Sequence, residues 1–367
     1  MAQTRVVGLK SPEQAGTRPV PSDLPYEATV HDALKGVLLD NYHDINSQTV
    51  TELSREPSAL EFMRFVARNQ PFVVRNNRAL TRIPCFSEPL RTWNAAYLSK
   101  KMNNQPVTVA MTPKGNADAV VQLPSGGSIF CKPHEILEPF DSALHFIRTQ
   151  ETSPSSTGAT RYIQSQNDNL RSEYTDLLTD IPPSIPWAST ALDTAPDAVN
   201  FWLGNSHSTS VLHKDHYENI FVQLRGAKEF TLLPPVESPC VHERSVLSAT
   251  YQPRDASLKP SHLTKDDLLL GIDHPEQYVP LPTWDPDRPG DNTTAYSQYA
   301  RPLRVTVEEG DMLYLPALWY HKVKQRAGDE GMCCSVNYWY DMDFTGPFQC
   351  ANKFVQDVAV LGVREKA

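Results

Sequence analysis

What this 367-residue chain lacks narrows it first. No window approaches ~18 consecutive apolar residues, so no membrane-spanning helix is expected. The N-terminal "MAQTRVVGLKSPEQAGTRPVPSDLP" has neither an apolar core nor a small-residue cleavage site, which argues against a secretory leader. The six cysteines, Cys85, Cys131, Cys240, Cys333, Cys334 and Cys350, form no Cys-x-x-Cys pair and no metal-knuckle spacing, and read as reduced thiols. A cytosolic address follows, with the nucleus as a further option. Basic residues are in deficit: 34 Lys and Arg against 43 Asp and Glu leave a net charge of −9 and a pI near 5.7. That argues against duplex nucleic acid as the main partner, because phosphate binding needs a basic surface. An acidic surface suits a basic protein segment instead. No internal repeat, P-loop, nucleophile elbow or His-Glu-x-x-His motif occurs.

Against those absences stand two short stretches. His213-Lys214-Asp215 lies inside "SVLHKDHYENIFVQL", and His321 inside "EEGDMLYLPALWYHKVKQ". An imidazole and a carboxylate at i and i+2 share one face of a β-strand, and a second imidazole on a neighbouring strand completes a three-ligand set. Two His and one carboxylate on one side of a cation leave its other positions open, the facial arrangement of non-haem Fe(II) oxygenases. His-x-Asp triplets also arise by chance on solvated surfaces. Here Val211 and Leu212 lead in and "NIFVQL" follows as a strand rich in branched and aromatic residues, which puts the triplet at the mouth of a sheet. Arg225-Gly226-Ala227 then reads as a turn, and "KEFTLLPP" as a returning strand stopped by Pro234 and Pro235. Lys228 shares a strand face with Phe230 and Leu232. Buried there it needs an anion, and the far carboxylate of a dicarboxylate cosubstrate is a candidate; a snorkelling surface lysine is the alternative.

Downstream, the pattern predicts strands over Leu303–Val307 and Met312–Leu315, a turn at Glu309-Gly310, a bend at Pro316 and a further strand carrying His321 and Val323. Short strands at turn spacings suggest an all-β barrel or sandwich. In "CCSVNYWYDM", Ser335, Asn337 and Trp339 share one face of a last core strand. An inward Asn337 needs hydrogen-bond partners, from a polar cosubstrate or from backbone.

Upstream, residues 1–25 are polar and proline-bearing and read as a disordered tail. Residues 26–160 read as a helical and mixed region packed on the barrel. Apolar stripes at Leu34, Val37 and Leu38, and at Leu60, Phe62, Met63, Phe65 and Val66 with Ser58 as cap, predict helices. "PFVVRN" and "PVTVAM" predict strands, and Thr92 a cap for the helix "WNAAYLSKKM". The stretch "ETSPSSTGATR" and the proline-rich residues 236–301 carry few structural signals. The latter form an insertion within a barrel spanning 161–345, long enough to make a lid or substrate wall. A C-terminal helix is expected over 346–367.

Together, "VNFWLGNSHSTSVLHKDHYENIFVQLRGAKEFTLLPP", "GDMLYLPALWYHKV" and "VNYWYDM" resemble the JmjC-domain hydroxylases, and among them the small cytosolic JmjC lysyl hydroxylases acting on developmentally regulated GTP-binding proteins. The likeness is dense from Val199 to Asp341 and follows the order of elements from about Tyr26. It implies a mainly β fold with flanking helices: a double-stranded β-helix, the jelly-roll or cupin-like JmjC barrel, wrapped by N-terminal helices. It implies Fe(II) held by His213, Asp215 and His321, 2-oxoglutarate chelating the metal with its far carboxylate on Lys228, and O2 as oxidant. Tyr162, in "TRYIQSQ", and Ser210 match positions that touch the cosubstrate in the family. The family often has Thr where Ser210 stands, so here only the hydroxyl is kept. Asn219 and Asn337 align with polar pocket positions, or are core residues bonded to a turn. The resemblance further implies a protein substrate, a GTP-binding protein carrying the target lysine, and a homodimer built through helical regions.

Several functions compete. Lysyl hydroxylation is favoured by the His-x-Asp form, the position of Lys228 and the compact chain. N-methyl-lysine demethylation uses the same architecture, but demethylases more often carry His-x-Glu, and no reader or zinc module is visible. A peptidase activity has been suggested for the family, yet no nucleophile triad or zinc motif is found. A non-catalytic cupin-like binding protein would be expected to lose at least one of His213, Asp215, His321 and Lys228, and all four are present.

Overall fold

The computed structural model describes residues 28–75, 86–123, 127–153 and 158–364. The expected N-terminal tail, Cys85 and part of the Ser/Thr-rich stretch before Tyr162 lie outside the described residues. Eight strands make a barrel: β1 (Ala198–Gly204), β2 (Thr209–His213), β3 (Tyr217–Arg225), β4 (Ala227–Leu233), β5 (Leu303–Val307), β6 (Met312–Leu315), β7 (Tyr320–Arg326) and β8 (Cys333–Asp341). They divide between two facing sheets. One has the order β5-β4-β7-β2; the other runs Thr51–Leu53, Phe72–Val74, β6, β3, β8, β1. This is the expected double-stranded β-helix, mainly β with helices on its flank.

Side-chain alternation explains why the second sheet is buried on both faces. On β3, Ile220, Val222 and Leu224 enter the large core beneath the N-terminal helices, while Phe221 enters the barrel cluster with Phe230, Leu232 and Leu313. On β8, Val336, Tyr338 and Tyr340 take the helix side. Ser335, Asn337 and Trp339 are left facing inward, as their spacing predicted. The β3–β4 turn depends on Gly226, at φ +67°: a Cβ there would lie 2.5 Å from the Arg326 carbonyl oxygen.

The helices are set by their caps. Ser58 caps Ala59–Arg68 in a reciprocal box with Glu61, and Asn69 ends that helix in the left-handed region at φ 48°. Ala95–Met102 is capped by Asn94, not Thr92: Asn94 Oδ1 accepts from Tyr97 N at 2.8 Å, whereas Thr92 closes the preceding short helix and donates to Glu88 O. The C-terminal helix Pro347–Arg364 packs against Val30–Leu38 around Cys240 and Tyr296.

The proline-rich insertion is richer in strands than its sequence suggests. Glu243–Pro253 pairs antiparallel with Leu268–Ile272 and Tyr278–Pro282. It also pairs parallel with Ser128–Lys132, which pairs in turn with Ala119–Gln122. N-terminal region and insertion therefore build one sheet between them. A fourth sheet, His134–Pro139, Pro106–Thr112 and Thr160–Tyr162, carries Tyr162 to the barrel.

Candidate active site

β2 and β7 pair antiparallel, and their register sets His213 directly opposite His321. The ring centroids are 4.1 Å apart. Asp215 Oδ2 lies 3.9 Å from His213 Nε2 and 3.6 Å from His321 Nε2, and the three donor atoms all fall within 4.8 Å of one another. β2 ends at His213, so Asp215 sits just beyond it, not on the strand itself. Its place is fixed by backbone instead: Leu318 N donates to Asp215 O at 2.8 Å, with Leu318 in the left-handed region at φ 67°.

Both imidazoles are oriented by the same local device. His213 Nδ1 is 2.7 Å from Val211 O, and His321 Nδ1 is 3.0 Å from Trp319 O, in each case the carbonyl two residues back. A carbonyl only accepts, so each Nδ1 carries the proton and each Nε2 lone pair is free for a metal. Burial, then the neighbouring His213, pushes His321 down to about 4, so it is neutral near pH 7.

The loop Pro316–Trp319 that holds Asp215 is itself anchored from elsewhere. Asn69 Nδ2 donates to Ala317 O at 3.0 Å, and Trp319 Nε1 donates to Asn69 O at 2.8 Å. Buried Glu218 accepts from Ala317 N at 3.2 Å and Tyr314 OH at 2.6 Å. No local pattern marks this clamp, because its parts lie far apart along the chain.

Lys228 is 3% exposed and points into the barrel, so the surface-lysine alternative does not hold. Its ammonium donates to Tyr162 OH at 3.2 Å and sits 4.8 Å from the Phe221 ring centroid and 5.4 Å from that of Trp202. Among the described residues it has no carboxylate partner, and burial pushes its pKa down to about 8. Gly204 makes room for this arrangement: a Cβ there would lie 2.8 Å from the Tyr162 ring. Among the described residues the Asn337 side chain bonds to other side chains and not to backbone. Its Oδ1 accepts from Trp202 Nε1 at 2.8 Å and its Nδ2 donates to Asn219 Oδ1 at 3.0 Å.

His213, Asp215, His321, Lys228, Tyr162, Ser210, Asn219 and Asn337 all line one cavity of about 820 Å³. Sequence reasoning missed several other wall residues: Trp202, Asp118, Glu135, Gln164 and Tyr251. Trp202 lay inside "VNFWLGN", a stretch quoted only for its family likeness, and only its alternation with Phe201 and Leu203 could have flagged it. Trp339, inward as expected, stacks on Tyr217 at 4.9 Å with 4° between the rings, and its buried Nε1–H has no acceptor among the described residues.

A double-stranded β-helix with a two-His, one-carboxylate cluster and a buried basic residue in the same cavity defines a JmjC-type 2-oxoglutarate-dependent oxygenase, a class that generally uses Fe(II), the keto acid and O2. The chain belongs to the cupin-like domain family, which matches residues 57–346. It is 37% identical over 300 residues, 80% of this chain and 85% of the relative, to the human bifunctional peptidase and (3S)-lysyl hydroxylase JMJD7. It is 32% identical over 307 residues, 80% of this chain and 82% of the relative, to the lysine-specific demethylase JMJ32 of Arabidopsis thaliana. Over 336 residues, 83% of this chain and 91% of the relative, it is 32% identical to JmjC domain-containing protein E of Dictyostelium discoideum.

Proposed function

We propose that this chain is an Fe(II)- and 2-oxoglutarate-dependent protein hydroxylase acting on a lysine side chain, in a GTP-binding protein as the sequence resemblance implies. One observation carries the reading: a three-donor cluster and a buried lysine that has no carboxylate partner among the described residues share a cavity. His213 and His321 would hold iron through Nε2 and Asp215 through its carboxylate. The residues fit, since both Nε2 lone pairs are free and His321 is neutral. Lys228 and Tyr162 would hold the far carboxylate of the keto acid, which supplies the missing anion. Walls of Phe221, Phe230 and Trp202 keep bulk water from that ion pair and strengthen it. The Trp202–Asn337–Asn219 chain and Ser210 offer polar atoms along the same space. Iron and keto acid, when bound, supply the oxidation: one oxygen of O2 leaves in succinate formed with carbon dioxide, the other enters a C–H bond as hydroxyl.

The test is incubation with Fe(II), 2-oxoglutarate and lysine peptides from GTP-binding proteins, followed by mass spectrometry. One added oxygen on lysine is expected, and His321→Ala should abolish it. Loss of a methyl group from a methylated lysine would assign demethylation instead, the reading favoured by the similarity to JMJ32. Peptide cleavage would assign the peptidase activity in the human relative's name. Keto-acid turnover that survives His321→Ala would sink the ligand assignment.

A further inference from the structure

The wall of the cavity outside the barrel strands carries an unbalanced charge. Two of its cations are already neutralised. Lys132 Nζ lies 3.0 Å from Asp273 Oδ2, a carboxylate that also accepts from Ser248 and Thr250, and Lys214 Nζ lies 2.7 Å from Glu243 Oε2. His134 on the same wall is kept neutral, its pKa pushed down by burial. Two carboxylates there, Asp118 and Glu135, have side chains with neither ion pair nor hydrogen bond among the described residues.

Asp118 is the more enclosed of the two. It is half-buried, directly precedes strand Ala119–Gln122, and lines the cavity together with His213, with Lys132 and Glu135 as its charged neighbours on the wall. Burial raises its pKa, the mark of a carboxylate only partly solvated. Lys132 acts on it only at longer range, being paired with Asp273, so this partly desolvated carboxylate lacks a direct partner among the described residues, and a cationic guest removes the cost of its desolvation. Lys228 and a bound metal repel such a guest from the deep end, while Asp118 and Glu135 attract it from the wall.

We propose that Asp118, supported at longer range by Glu135, receives the side-chain ammonium of the target lysine and makes this cavity selective for a primary amine over an uncharged chain of equal length. The inference rests on the lysyl-hydroxylase reading above and adds the group that recognises the lysine.

Its test uses the full chain loaded with Mn(II) and 2-oxoglutarate, which binds without turnover. The probes are Nα-acetyl-L-lysine methylamide and the norleucine counterpart, each followed by the relaxation that Mn(II) induces in its protons. Because a charge-assisted hydrogen bond is at stake, the lysine probe is expected to bind about tenfold more tightly or better. Asp118→Asn should erase the preference. Asn tolerates the left-handed backbone at φ 55°, so that variant keeps the turn. Asp118→Glu, which retains the charge, should recover part of the preference.

A preference that persists in Asp118→Asn, or is absent from the unaltered protein, overturns the assignment. Titration of Mn(II) and 2-oxoglutarate into the same proteins separates the two levels. If the unaltered protein binds neither, the hydroxylase reading fails and this inference with it; if it binds both without preferring lysine, only the role of Asp118 falls. Should Asp118→Asn lose metal and keto acid, Asp118→Glu decides: selectivity kept supports the role, and selectivity lost with metal binding intact ends it.

Discussion

Lys228 carries a charge at odds with its surroundings. Its fall from an ordinary 10.5 to about 8 on burial costs roughly 3 kcal/mol of stability at neutral pH. Below pH 8 both folded and unfolded chains carry the proton and the cost is complete. Between about 8 and 10.5 the unfolded chain holds a proton that the folded one has released, so this group makes stability rise with pH. Lys228→Met removes the group at nearly constant volume. Without ligands the variant is expected to be about 3 kcal/mol more stable at pH 7, a gap that closes toward pH 10.5. Denaturant titrations of both proteins across that range check the slope. The same change should weaken 2-oxoglutarate binding about a hundredfold, because charged pairs in desolvated settings lose several kcal/mol when one partner goes. The lysine was legible in sequence because it alternates with Phe230 and Leu232 on one strand. Asp118 was not, since a single acid in a turn carries no periodicity.

Among the elements, the helix Ala59–Arg68 acts on the metal cluster without touching it. Its C-cap, Asn69, grips the loop Pro316–Trp319, and Leu318 in that loop grips Asp215. Asn69→Ala removes the side-chain bonds, Nδ2 to Ala317 O and Trp319 Nε1 to Oδ1 at 2.7 Å, together with the tolerance for a left-handed backbone. Metal affinity is expected to fall about tenfold, as for other losses of support behind a ligand, with some loss of stability. Asn69→Gly keeps the turn and its backbone bond to Trp319 but not the side-chain bonds, so it should regain stability while metal affinity stays low; calorimetric titration of Mn(II) and thermal melts separate the two effects. At the β3–β4 turn, Gly226→Ala meets carbonyl and amide atoms that cannot yield. It is expected to cost about 2 kcal/mol or more and to raise the KM for 2-oxoglutarate through Lys228, two residues on. The turn could be read from its glycine. The Asn69 clamp could not, because a cap's second role depends on what packs against it.

At the scale of the whole molecule, ligands and fold are linked. A metal and keto acid that bind only the native cavity should stabilise it by about 2.7 kcal/mol at a hundred times their dissociation constants. His321→Ala should abolish that gain in thermal melts. The barrel half of the architecture was legible, since β3 and β8 send alternate residues to two cores and the β3–β4 and β5–β6 turns carry Gly226 and Gly310. The five-stranded sheet was hidden. Glu243–Pro253 takes its parallel partner from Ser128–Lys132, more than a hundred residues earlier, and no local pattern sets such a register. Asp118 and Tyr251, both missed, stand at the margin of that sheet and on it. Shared ownership of one sheet also limits how the gene can be trimmed. A chain cut back to residues 161–345 would retain every donor atom of the cluster, yet it would leave the backbone of Ser248–Thr250 unpaired along one side. Bare edges of this kind recruit further copies of themselves. The shortened protein is expected to leave the cell as insoluble material, while one beginning at residue 28 remains monodisperse by light scattering.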